Sequence, residues 1–480
     1  LVAPSSTIAQ GNYSPVNSFL IDCGSASSAS TVIDGRSWLS DSSSSSFRSS
    51  SSSIQATTSV PSSFDHLTIA PLLLSATIFP NTSTYTFSVE PSRFWIRLYF
   101  YPFSYQGYDL NSAVFSVIAN GFTLLSDVHV TSSIQASNSI FLFKEYSLNI
   151  SSSTLTLTFI PSFGSYAFIN AIEVLSMPSD IMQDLSSPLG TNSPESVGMD
   201  HTAVECMYRV NVGGPLVAPI NDSSGLYRTW QSNESFLFST SSGVENVSTS
   251  RQAIVYPAPL PSYIAPPVVY STALQMSTSL ASGDSFNISW LFTIDPGFIY
   301  IVRIHLCEIV YTSVGERIFD IYIQNQTAYR SLDLVYLKSA ANAYYRDFTI
   351  NTSDGTSTLW IQVGPTPNAP LTINNAILNG IEIWKLNNSA GSLDGVMPNL
   401  QIPTSDSLRI GPIIGGVAAG VLGMAIIIGI VCFFFPGCRK KTGSKSHSRS
   451  SPRPSAWIPL PMHSSGGNGN NNSASMVSRA

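Results

Sequence analysis

The sequence predicts an all-β fold: two tandem β-sandwich domains, followed by a single transmembrane α-helix and a disordered cytoplasmic tail. Three observations carry that expectation. The composition favours strands, the chain repeats itself at an offset of about 200 residues, and one long uncharged apolar run stands near the C-terminal end.

The part before the apolar run is rich in Ser, Thr, Tyr, Phe, Ile and Val and poor in Lys, Glu and Ala. β-Branched and aromatic side chains suit a pleated, half-buried surface. Its length of about 410 residues exceeds one ordinary core and suits two domains of about 200. Within Phe94 to Tyr101, the set Phe94, Ile96, Leu98 and Phe100 alternates with Trp95, Arg97, Tyr99 and Tyr101. That period of two gives a strand with one apolar and one amphipathic face. Many such runs, separated by Gly, Pro, Ser and Asn, predict a sandwich. The Ser-rich run from Asp41 to Ser53 and "YPAPLPSYIAPP" from Tyr256 read as loops.

The repeat is visible residue by residue. "FSVEPSRFWIRLYFYPF" from Phe87 matches "FTIDPGFIYIVRIHLCEI" from Phe292, with Glu90 opposite Asp295 and Arg97 opposite Arg303. "AVFSVIANG" from Ala113 answers "RIFDIYIQN" from Arg317, and "FKEYSLNI" from Phe143 answers "YRDFTINT" from Tyr345. Asn170 and Glu173 fall opposite Asn379 and Glu382, and Trp38 falls opposite Trp230. These landmarks set a first domain at 1–180, a linker at 181–200, a second domain at 201–388, an extracellular juxtamembrane stalk at 389–410, the transmembrane helix at 411–435 and the tail at 436–480.

From Ile413 to Phe435 there is no charged residue, and a helix of about 23 residues spans the roughly 30 Å hydrocarbon core. Arg439, Lys440, Lys441, Lys445 and Arg449 follow it, while Arg409 alone stands in the twenty residues before it. Basic residues favour the cytoplasmic side, so the topology is single-pass with the N-terminus outside. Of the 22 Lys and Arg, seven follow Phe435, and none of the 28 Asp and Glu does; the total of −6 is thus −13 outside and +7 inside. The inner charge suits an anionic leaflet or a plain stop-transfer anchor. Gly411, Gly415, Gly416 and Gly420 form overlapping small-xxx-small pairs, a spacing that lets two helices approach closely and makes them candidate helix–helix contacts. "LVAPSSTIAQ" at Leu1 reads as the tail of a leader, so the sequence is expected to continue upstream.

Asn-x-Ser/Thr triplets at Asn12, Asn81, Asn149, Asn221, Asn233, Asn246, Asn287, Asn325, Asn351 and Asn387 are candidate glycosylation sites on an exported chain. Cysteine is scarce. Cys23, Cys206 and Cys307 lie outside, an odd number that excludes a disulfide scaffold, and Cys438 beside the membrane is either a palmitoylation candidate or an inert thiol.

Chemistry is weighed against structure at each candidate. Glycoside hydrolysis needs two carboxylates about 5 to 10 Å apart, and Glu90, Glu173, Asp295, Glu308, Glu316, Asp320 and Glu382 supply acids. Two of them recur as matched pairs, however, which points to structural roles such as strand-end caps or partners for Arg97 and Arg303. There is no G-x-S-x-G elbow, and His66, His129, His201 and His305 are scattered without metal-ligand spacing. No catalytic residue and no metal site is predicted. Binding is the better reading, with Tyr101, Tyr105, Tyr108 and, in the second copy, Tyr311 as candidate ligand-binding residues. Flat rings stack on sugars or peptides; the favoured alternative is that the strand members belong to the core and only the loop members Tyr105 and Tyr108 are exposed.

These paired landmarks resemble the malectin-like domains of plant receptor-like kinases of the FERONIA and THESEUS group. The carrying residues are "SFLIDCGS" from Ser18, "DGRSWLSD" from Asp34, "RLYFYPF" from Arg97, "FINAIEVLSMPSD" from Phe168, "YRVNVGG" from Tyr208, "IHLCEI" from Ile304 and "LNGIEIWKL" from Leu378, with "SAWIPLPMHSS" from Ser455 past the helix. The resemblance implies a plasma-membrane receptor with two malectin-like domains and a cytoplasmic serine/threonine kinase. It also implies ligands among cell-wall polysaccharides and secreted cysteine-rich peptides and a glycosylphosphatidylinositol-anchored co-receptor; the glycine spacing adds homo- or hetero-dimers as an expectation, and nucleic acid is not among the expected partners. The glycine-rich loop, V-A-I-K lysine, H-R-D and D-F-G motifs do not occur in these 480 residues. The chain as it stands is therefore not expected to transfer phosphate, and ATP and Mg would enter only with a downstream kinase domain. The alternative is a kinase-less tether between wall and membrane, or a decoy receptor.

Overall fold

The computed structural model describes residues 13–394, apart from 27–29, 43–46, 50–52, 62–63, 65–66, 192, 239–242, 278–285, 354 and 368–374. All of them belong to the unit Leu1–Pro398. Among the described residues no helix is long and apolar enough to cross a membrane. The segment 411–435, with Gly411, Gly415, Gly416 and Gly420, lies outside the described residues, as does Asn12.

The spine is a thirteen-stranded sheet. Ser18–Asp22, Ala171–Met177, Ser92–Phe100 and Leu142–Ile150 lie side by side, all antiparallel. Val204–Asn211, Gly380–Leu386, Ile299–Leu306 and Tyr344–Asn351 continue in the matching order. The two sets meet where Tyr146 pairs with Glu205 and Ser147 with Val204. Because the same order recurs rather than its mirror, the last strand of the first set receives the first strand of the second.

The stretch 181–200, expected as a linker, is woven into this sheet. Leu185–Pro188 runs parallel to Tyr344–Asn351, through Ser187 to Phe348 and Pro188 to Thr349, and so covers the edge that the second set would otherwise expose. An uncovered edge carries unpaired N–H and C=O groups, which is the physical reason for a connecting segment to be drawn there.

Each set is faced by a smaller sheet. Phe122–His129, Val114–Ala119, Thr154–Pro161, Ser83–Ser88 and Phe47–Ser49 face the first, and Ile288–Thr293, Thr358–Pro365, Phe319–Ile323 and Gln326–Leu332 face the second. Alternate residues fill the space between sheets. Phe94, Ile96, Leu98 and Phe100 join Phe115, Leu157 and Phe168 in one core, and Tyr300, Val302, Ile304 and Leu306 join Trp290, Ile321 and Ile383 in another.

The expected stalk at 389–410 begins differently. Residues 389–394 fold back over the first core, where Leu393 is fully buried and its N–H donates to the carbonyl of Thr123. Thr123 N–H donates in turn to the Gly391 carbonyl, and the Asp394 carboxylate accepts from Ser126 N–H. The outer edge strand Phe122–His129 is thereby covered at Thr123 and Ser126 by residues 391–394.

Candidate functional site

The second face of the long sheet carries the polar side chains. Trp95, Arg97 and Tyr99 point there from Ser92–Phe100, opposite the core-facing set; Leu226 and Ile264 of the second half pack over Trp95, the Leu226 carbonyl accepts from Arg97, and Tyr99 packs with Trp38 and Leu72 of the first half. The result is a row of buried charges. Glu173 accepts from Arg36 and Arg97 at 2.6 Å each, and Glu145 accepts from Arg97 at 2.6 Å and Arg209 at 2.8 Å. Glu382 accepts from Arg209 at 2.8 Å and lies 3.0 Å from His305 Nε2. His305 Nδ1 is 2.9 Å from the Tyr270 hydroxyl, so a neutral ring that donates to Glu382 accepts from Tyr270. Burial pushes the Glu145 carboxyl up, but the guanidiniums of Arg209 and Arg97 outweigh it and hold the group at about 2. Burial also lowers the His305 pKa, against the pull of Glu382.

Arg303, matched to Arg97 by the repeat, does not pair with Glu382 although the two are cross-strand neighbours. Its fork goes to Asp347 at 2.7 Å on both arms. Of the acids offered for hydrolysis, Glu173 and Glu382 are thus held by arginine, which suits architecture better than proton transfer. Asp295 instead meets Lys385, and Glu308 meets Arg317. No group of three or more His, Cys, Asp or Glu that could hold a metal stands together among the described residues.

The aromatic candidates form a ledge at one end of the first core. Tyr101 is half-buried against Phe64, with ring centroids 4.9 Å apart in an edge-on contact. Tyr105 and Tyr108 sit on the short hairpin Ser104–Tyr105 and Tyr108–Asp109, packed partly on the core. Tyr108 meets Tyr166 edge-on at 5.1 Å, and Phe163 stands fully exposed in the loop that leads to Tyr166. Tyr166 and Phe163 were missed from sequence because "PSFGSY" reads as a turn. Tyr311 belongs to the second half, where Arg317 stacks on its ring at 4.6 Å, so the four tyrosines do not form one surface.

Asn81, Asn221, Asn246, Asn287, Asn325 and Asn351 are exposed, and Asn149 and Asn387 half-buried. Asn233 is a correction: its side chain is 3 % exposed and accepts from Gly213 N–H, which leaves a glycan no outlet from the folded chain.

The malectin-like domain family matches residues 21–386. The receptor-like protein kinase FERONIA of Arabidopsis thaliana is 34% identical over 99% of this chain and 54% of its own length. THESEUS 1 of the same plant is 35% identical over 81% of this chain and 44% of its own length. The chain therefore spans about half the length of these curated relatives. Among solved structures, the ANXUR1 extracellular domain from Arabidopsis thaliana superposes with a TM-score of 0.71 at 29% identity, covering 79% of this chain and 99% of that one. The receptor-like kinase FER in complex with the plant peptide RALF23 and LLG2 superposes with a TM-score of 0.68 at 33% identity, covering 81% and 100%. The fold and these matches agree over the same residues: the chain belongs to the malectin-like family, beside FERONIA and its related plant receptor-like kinases.

Proposed function

We propose that the chain is the ligand-binding and membrane-spanning portion of a single-pass plasma-membrane receptor. Its malectin-like ectodomain would take up a secreted cysteine-rich peptide together with a glycosylphosphatidylinositol-anchored co-receptor, and a serine/threonine kinase further along the protein would transmit the event. The observation that carries this reading is the superposition, over 81% of this chain, on a FER structure that holds a plant peptide and a second protein. An acidic outer surface of −13 supports it by drawing basic peptides. The segment 411–435 provides the span.

The test is binding of RALF23 to the purified chain, with and without LLG2. Saturable binding that tightens at least tenfold when LLG2 is present supports the receptor reading, and no binding under either condition sinks it. A second reading, a wall tether, rests on the ledge of Tyr101, Tyr105, Tyr108 and Tyr166 with exposed Phe163. It expects an oligosaccharide to bind with an affinity that falls about tenfold in Tyr108→Ala and Phe163→Ala, and unchanged affinity in both removes it.

A further inference from the structure

The two halves treat one equivalent sheet edge differently. Phe122–His129 and Gln326–Leu332 occupy the same place after matched strands, each paired on its inner side, with Val114–Ala119 and Phe319–Ile323 respectively. In the first half the outer side is taken by residues 391–394, through a single parallel bridge of Ser392 to Thr123 made by two backbone hydrogen bonds and through the Asp394 carboxylate on Ser126 N–H. In the second half Gln326–Leu332 has a strand partner on one side only among the described residues.

Beside that open edge runs a groove of about 640 Å³, between Gln326–Arg330 on one wall and Gly190, Thr191 and Arg346 on the other. Its lining contains two arginines and no carboxylate. Arg346 is oriented by the Ser187 hydroxyl at 3.2 Å and stacks over the Tyr329 ring at 4.8 Å, while Arg330 is exposed. Neither forms an ion pair among the described residues, although most of the other described arginines do. On a surface whose net charge is strongly negative, such a spot selects an anion.

We infer that the edge Gln326–Leu332 is a docking site for an extended, acidic peptide segment of a partner protein, which adds to the four-stranded sheet as residues 391–394 do to the other. Backbone N–H and C=O groups of Gln326–Arg330 would pair with the incoming strand. Carboxylates on its near face would meet Arg330 and Arg346, whose planar forks suit them. A stretch of about five residues, roughly 17 Å, fits the length of this wall. The inference is separate from RALF23 binding, so either can fail without the other.

The probe is an acetylated, amidated Val-Glu-Val-Glu-Val-Glu peptide with a fluorophore, titrated against the whole chain and read by anisotropy. The Gln analogue, two Glu peptides N-methylated at odd or at even positions, and an unlabelled polyuronate oligosaccharide as competitor complete the set. The expected result is binding of the Glu peptide at least tenfold tighter than the Gln peptide, and loss of binding on N-methylation at one parity only. Arg330→Gln, an exposed change that spares the fold, is expected to weaken binding about tenfold, and the double variant with Arg346→Gln more. Four results would overturn the proposal: no binding at millimolar peptide, equal binding in Arg330→Gln, indifference to N-methylation, or a polyuronate bound more tightly than the Glu peptide. The third would mean that charge alone is read, and the second that Arg330 only guards the edge.

Discussion

Gly24 and Gly213 do the same work in the two halves, and nothing larger fits either. Their φ angles are +71° and +70°, and a Cβ would stand 2.0 Å from the Ala76 carbonyl oxygen in one case and 2.1 Å from the Ala273 carbonyl in the other. A left-handed conformation and a backbone collision act together. Gly24→Ala and Gly213→Ala are each expected to destabilise the chain by about 3 kcal/mol or more. Gly35 has the same φ of +72° but open space around it, so Gly35→Ala should cost only about 1 kcal/mol. Chemical denaturation of the three variants compares them directly, and equal losses would show that the collision is relieved by a backbone shift. Asn170 and Asn379 show the same equivalence. Each accepts the N–H that follows its neighbouring central strand, of Tyr101 and Cys307, and donates to carbonyls at the last residue of a short helix and just beyond it, Leu73 and Ser75 or Tyr270 and Thr272. Both asparagines were visible as matched positions in the sequence, but their purpose was not. A side chain that ties three segments together leaves no periodic trace.

At the scale of elements, the junction of Leu142–Ile150 with Val204–Asn211 is only two residue pairs long, and ion pairs reinforce it on both faces. On one face Glu145 takes Arg97 from the first half and Arg209 from the second; on the other, Glu205 takes Lys144 and Lys385 at 2.6 Å each. Glu145→Gln takes one of two carboxylates from each of two buried guanidiniums, leaving Arg97 with Glu173 and Arg209 with Glu382, and is expected to cost about 1.5 to 3 kcal/mol, against under about 1 kcal/mol for removing an exposed acid such as Glu90. Acid should act at the same place. Burial raises the Glu205 carboxyl, yet Lys144 and Lys385 bring it down to about 2, where Glu145 also lies. Unfolded glutamates titrate near 4.5, so the stability from these pairs is complete above that pH and is lost as the pH falls from about 4.5 towards 2. The thermal midpoint of the wild-type chain should fall steeply across that window, and Glu145→Gln should flatten the slope. The alignment of "FKEYSLNI" with "YRDFTINT" already placed Glu145 opposite Asp347, the partners that Arg97 and Arg303 adopt. Of the structural roles open to Glu382, a pair with Arg303 is not the one it takes, because Arg209 enters from the neighbouring strand and claims that carboxylate.

For the molecule as a whole, the strands and their alternation were legible, since burial on one face imposes a period of two on side chains such as those of Phe94 to Phe100. What was not legible was the fate of connecting segments. Residues 181–200 and 389–394 lack strand periodicity, and they pair with the sheets through backbone hydrogen bonds, which any sequence can make. Leu185–Pro188 and the 391–394 segment are edge covers, chosen by what the sheets leave open rather than by their own pattern. Ending the chain after Asn388 is accordingly expected to destabilise the first core by roughly 2 to 4 kcal/mol, through the loss of Leu393 and the pairing at Thr123. Hydrogen exchange should rise first along Phe122–His129, and unchanged protection there would show that the cover is dispensable.

The same return segment determines where a load enters the molecule. Tension on the chain beyond Asp394 reaches Ser126 and Thr123 before it reaches any strand of the long sheet, so the first yielding step should be withdrawal of Leu393 from its socket. Peeling residues 389–394 would release about 20 Å of extended chain, visible in a single-molecule pulling trace as a short step ahead of global unfolding. That step would also strip the cover from Phe122–His129, leaving a sheet edge that is open only while the molecule is under strain.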